Sequence, residues 1–118
     1  MKSVLFINTK PPYSSLATRE AIDAVLATAA FGVPAGLLFI DDGVFQLRKG
    51  QNPQPAELKR TAPMFEALDM YGVEEIHVCQ ASLERRGLQP DDLIVPVQIA
   101  DASALRALLN RFDHLLTF

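Results

Sequence analysis

Two short stretches hold most of the side chains that could do chemistry. The first is His77-Val78-Cys79, which closes an apolar run and is followed at once by a short helical stretch, Ala81 to Arg86. A cysteine at that junction lies beside the free N–H groups and dipole of a helix start, which favour a thiolate, the form that carries or attacks sulfur. His77 stands two residues earlier, so strand alternation puts it on the same side as Cys79, where it could act as a nearby proton partner if the strand end is open. Plainer readings exist for both. Cysteine is often a small, fully buried apolar residue, and His77 reads equally as a half-buried sheet histidine.

The second stretch is Asp41-Asp42-Gly43. Paired carboxylates at a strand end can hold a hard cation such as Mg²⁺, but Asp and Gly are also the ordinary residues of a turn. Arg85-Arg86 could meet an anionic partner or simply face water. No His/Cys metal spacing, Gly-rich phosphate loop or Gly-x-Ser-x-Gly elbow is present, and nothing calls for a cofactor. A phosphoacceptor receiver would resemble a family with Asp ending strand three and Lys ending strand five, where this sequence has Cys79 and Thr117.

The elements that must position these residues read clearly at several points. Lys2 to Ile7 is a β-branched and aromatic run suited to a strand buried on both faces. Ser14 or Ser15 can cap a helix whose apolar residues Ala21, Ile22, Val25, Leu26 and Ala29 follow helical spacing up to Gly32, with Arg19 and Asp23 paired four apart. Ala35 to Ile40 predicts a second strand. Arg48 to Pro55 reads as an exposed loop. Ala56 to Tyr71 predicts a helix that Pro63 starts or kinks, ended by Gly72. Glu74 to Cys79 is a third strand and Leu93 to Ile99 a fourth, at a sheet edge or a bulge because Pro96 within it cannot donate to a ladder. A helix over Ala102 to Asn110 leads to a last strand, His114 to Phe118.

Five apolar strands alternating with helices imply a three-layer α/β/α fold with a mostly parallel five-stranded sheet. The 118 residues fit a single domain spanning 1–118. In such a sheet ligands gather at the carboxyl ends of the strands, here Asn8-Thr9, Asp41-Asp42 and Cys79, near a switch in strand order. Phe45, Met64, Phe65, Met70 and Tyr71 are expected in the core, and any of them left exposed would mark a subunit interface.

Composition bounds the function. A 49% apolar and 21% charged chain folds rather than staying disordered. A net charge of -3 argues against broad affinity for nucleic acid, so no direct RNA contact is expected. The opening apolar run is too short for a signal segment, no stretch reaches membrane-spanning length, and a single cysteine excludes an internal disulfide. A cytoplasmic location without membrane contact is the expectation.

Three longer segments carry a resemblance. Arg19-Glu-Ala-Ile-Asp-Ala-Val-Leu-Ala-Thr-Ala-Ala-Phe31, Phe39-Ile-Asp-Asp-Gly-Val-Phe-Gln-Leu47 and Val78-Cys-Gln-Ala-Ser-Leu-Glu-Arg-Arg-Gly-Leu88, with the closing Phe112-Asp-His-Leu-Leu-Thr-Phe118, together resemble the TusC/DsrF-like subunits of the DsrE/DsrF sulfur-relay family. That resemblance implies partners: TusB-like and TusD-like subunits in a dimer of heterotrimers, a TusA-like persulfide donor and a TusE-like acceptor serving 2-thiolation of tRNA wobble uridine. It implies a supporting rather than a transferring subunit, with Cys79 the candidate persulfide carrier by position, matching the placement of the sulfur-carrying cysteine in the sibling subunit. A dissimilatory DsrEFH-type complex is the alternative from the same family. A sulfur-independent regulatory or metal-binding module using Asp41 and Asp42 is the alternative from outside it.

Overall fold

The computed structural model describes residues 2–11, 17–49, 68–73 and 75–118. Five strands, β1 (Val4–Asn8), β2 (Ala35–Phe39), β3 (Glu75–Cys79), β4 (Gln98–Ala100) and β5 (His114–Thr117), form one sheet in the order β4-β3-β2-β1-β5. Every pairing is parallel. The helices are α1 (Ala17–Ala30), α2 (Gln80–Arg85) and α3 (Ala102–Arg111), with 3₁₀ turns at Asp41–Leu47, Leu68–Tyr71 and Pro90–Asp92.

Strand order explains the layers. From β1 to β4 the chain steps across the sheet in one direction, so crossovers of one hand lie on one face; from β4 it returns past β1 to β5, and that crossover must lie on the other. Ile22 and Val25 of α1, Leu83 of α2, and Val44 and Leu47 of the first 3₁₀ turn accordingly pack with Phe6, Leu37, Phe39, Ile76 and Val78. On the opposite face Leu108 of α3 and the following Phe112 pack with Leu5 and Leu38. The three-layer α/β/α architecture expected from the sequence is the one observed.

Local chemistry sets the boundaries. Gly32 takes a φ of 74°, the left-handed conformation that ends α1 without steric penalty. The Arg19–Asp23 pair forms at 3.5 Å. Asp101 caps α3, its carboxylate accepting from the Ala104 N–H at 2.8 Å. The fourth strand is shorter than expected and corrects the reading of Leu93 to Ile99. Only Gln98–Ala100 joins the ladder, Pro96 lies outside it, and Leu93 instead makes an isolated antiparallel bridge with Arg48. A proline without an N–H keeps the strand from extending backwards. β4 lies at the sheet edge, one of the two placements expected of it. The expected Ser14 or Ser15 cap, most of the Arg48–Pro55 loop, and all but the last turn of the Ala56–Tyr71 helix, with Met64 and Phe65, lie outside the described residues.

Two expected core residues are not core. Met70 and Tyr71 are 87% and 61% exposed, and Phe31 is 83% exposed. Phe45 is half-buried.

Candidate functional site

Cys79 is both the last residue of β3 and the N-cap of α2. Its backbone is extended and its side chain makes no capping bond. Strand, cysteine and helix therefore join as the sequence suggests, although α2 is only 6 residues long. Cys79 is 6% exposed. β2 and β4 flank β3 on either side, with Ala100 paired directly to the cysteine. A thiol so enclosed is shielded from a donor arriving through solvent.

His77 also points to the α3 side, by alternation with Cys79, and is 7% exposed. Its immediate polar partner is an acid. Nε2 lies 3.0 Å from Oε1 of Glu75, which stands two residues earlier on the same face of the strand. The same carboxylate receives the guanidinium of Arg111 from the last turn of α3. Arg111 also stacks over the Phe112 ring at 4.7 Å. Hydrogen bonds from Arg111 hold the Glu75 carboxyl below the usual carboxylate range; partial burial opposes this and the His77 bond reinforces it. The result is a His77–Glu75–Arg111 chain linking β3 to α3.

Sequence reading singled out His77 but missed Glu75, Arg111 and Gln98. Glu75 carried a usable signal, since residues two apart on a strand share a face. Arg111 carried none, because only the side of the sheet taken by α3 brings it to β3. Gln98 follows from the register that pairs it with His77. Together His77, Gln98 and Arg111 line an open cleft of about 280 Å³ with Ile99, Ala100, Ala104, Ala107 and Leu108.

The acidic pair is built differently. Asp41 and Asp42 open the first 3₁₀ turn, both exposed. Asp41 has a φ of 55°, a left-handed conformation that aspartate tolerates better than most side chains. Its N–H donates to Ser82 Oγ at 2.9 Å, while Asp42 pairs with Arg86 at 3.0 Å. The pair thus fastens the end of β2 to α2. Among the described residues no group of three or more His, Cys, Asp or Glu side chains comes together to hold a metal ion. Arg86, also bonded to the Ser82 carbonyl at 3.2 Å, serves that fastening, whereas Arg85 faces solvent.

Strand order reverses between β1 and β5, and there the carboxyl ends are closed by the chain itself. The Thr9 N–H and hydroxyl both donate to the Phe118 carbonyl, at 2.9 and 2.8 Å. Cys79 lies two strands away from that switch. No helix among the described residues is long and apolar enough to cross a membrane.

Comparison with known proteins gives a consistent result. The profile of the DsrE/DsrF-like family matches residues 2–118. A Pseudomonas aeruginosa protein named as a TusC homolog is 42% identical over 116 residues, 98% of each chain. A Vibrio vulnificus protein of the same name is 37% identical over 118 residues, the whole of both chains. In fold, the chain is similar to the crystal structure of the ychN protein from E. coli, with a TM-score of 0.85 at 23% identity over both full chains. A protein of unknown function from Methanobacterium thermoautotrophicum follows at 0.72 and 17%, again over both full chains.

Proposed function

The chain belongs to the DsrE/DsrF-like family, and from that premise we propose that it is a supporting subunit of a TusBCD-type sulfurtransferase complex. In this reading the complex takes persulfide sulfur from a TusA-like donor and passes it to a TusE-like acceptor for 2-thiolation of tRNA wobble uridine. The full-length similarity to proteins named as TusC homologs supports the placement.

The observation that carries the supporting role is the burial of Cys79, at 6% exposure. Persulfide transfer requires a thiolate to reach a partner's sulfur in line, and a reactive cysteine is accordingly exposed at least in part. Cys79 is instead packed where β3 meets α2. TusB-like and TusD-like partners fit the large apolar side chains left on the surface, among them Leu115 and Leu116 on edge strand β5. With a net charge of -3 the chain is not itself a polyanion-binding surface, so tRNA is reached through other proteins.

The test is genetic complementation with tRNA analysis. Removing this chain from its host should abolish 2-thiouridine, and restoring either the wild-type chain or Cys79→Ser should bring it back equally. Unchanged thiolation on removal would refute the pathway; restoration by wild type alone would refute the supporting role.

A further inference from the structure

The cleft between α3 and the β3–β4 edge has the make-up of a small-ligand site: apolar walls with a few polar groups converging on one space. His77 and Gln98 are register partners on adjacent strands, so both side chains project into it from the sheet. The His77 side chain is only 9% exposed and its Nε2 is held at 3.0 Å by Glu75. Among the described residues its ring has one hydrogen-bond partner, Glu75. Arg111 enters from α3, fixed by Glu75 on one side and the Phe112 ring on the other. Ala104 and Ala107 leave the space that larger side chains on the same helix face would fill.

We infer that this cleft binds a small monovalent oxyanion, taken up together with one proton on His77. Charge dictates the pairing. The ionisable groups set against His77 are Glu75 and Cys79 on its own strand and Arg111 on α3; β2 contributes Leu38 and β4 contributes Gln98, both uncharged. With His77 neutral, Glu75 and Arg111 cancel, and a ring that donates through Nε2 to Glu75 offers the cleft only a lone pair, which repels an anion. With His77 protonated the cluster carries one net positive charge and presents three kinds of donor, imidazolium, guanidinium and carboxamide. An oxyanion of one negative charge completes it. Glu75 does not oppose binding, because its carboxylate is already engaged by Arg111 and His77. The site does not depend on sulfur transfer through Cys79 or on the proposed complex.

The experiment is a titration of the full chain, in the assembly in which it purifies, with acetate and with methanesulfonate at constant ionic strength. Acetamide is the uncharged control, and the His77 ring signals are followed by NMR. Saturable shifts with either anion and none with acetamide are expected, with affinity weakening as pH rises because each bound anion brings one proton with it. Preference for methanesulfonate would identify a sulfur oxyanion, and preference for acetate a carboxylate. Ala107→Leu, at an exposed helix position where leucine is well tolerated, should fill the cleft and weaken binding at least about tenfold without lowering the melting temperature. Absence of saturable binding by both anions, affinity independent of pH, or unchanged binding in Ala107→Leu would each overturn the inference.

Discussion

The two faces of the sheet are covered to different degrees. One carries α1, α2 and the Asp41–Leu47 turn over a continuous core in which Phe6, Leu37, Phe39, Val44 and Val78 are at most 2% exposed. The other carries α3 alone, and of its ten residues only Leu108 is buried. The polar residues of interest, Glu75, His77 and Gln98, all face the second side. Close packing on the first face supplies the stability that lets the second remain thinly covered.

Substitutions on the two faces should separate them, most strongly in the first core. Phe39→Ala removes a fully buried ring and should lower unfolding free energy by about 3–5 kcal/mol in denaturant titration, against about 2 kcal/mol for Leu108→Ala, whose site borders solvent. Equal losses would mean that the faces are equally packed.

The glycines sharpen the contrast. A Cβ at Gly43 would stand 1.9 Å from the Asn8 carbonyl oxygen, backbone that cannot give way, whereas at Gly36 it would meet the outer edge of the Phe112 ring at 2.8 Å. Gly43→Ala should cost about 3 kcal/mol and Gly36→Ala about 1 kcal/mol, in which Phe112 shifts toward the thinner layer. Reversal of that order in thermal melts would contradict a yielding α3 face.

A smaller effect follows from Glu75. Its folded-state carboxyl is held below the ordinary value of 4.5, so its contribution to stability is fully present above that pH and is lost as pH falls through the lowered folded value. Arg111→Leu removes the largest cause. Its melting temperature should therefore fall below wild type at neutral pH and converge with it in acid; a gap constant with pH would assign the loss to packing on Phe112 instead. Smallest of all, Leu116→Ser on β5 should change the stability of the isolated chain by no more than about 0.5 kcal/mol. It should nonetheless reduce co-purification with partner subunits, and full retention of partners would remove β5 from the interface.

Much of the fold was legible because its signals are local. Apolar runs such as Val4 to Ile7 and Leu37 to Ile40 need only their own composition to read as buried parallel strands, and Gly32 and Gly72 end their elements through positive φ. Strand four was less legible, since Leu93 to Ile99 is apolar throughout and only the tertiary bridge of Leu93 to Arg48 shows that its first half leaves the ladder. At the candidate site, the junction of Cys79 with strand and helix could be read from order alone. Its burial could not, being decided by neighbouring strands distant in sequence. The same holds for Arg111, brought to Glu75 from 36 positions away by the return crossover. Asp42 read as a turn residue or cation ligand, and its bond to Arg86, 44 positions on, depends on where α2 lands.

The central claim is that this chain supports sulfur transfer without carrying the sulfur. Its most direct test is intact-mass analysis of the wild-type and Cys79→Ser chains, each co-purified with TusB-like and TusD-like partners and incubated with a persulfide donor. The account predicts a one-sulfur mass increase confined to a partner subunit, with the complex intact in both versions. A one-sulfur adduct on this chain that disappears in Cys79→Ser would contradict it and make Cys79 a relay site.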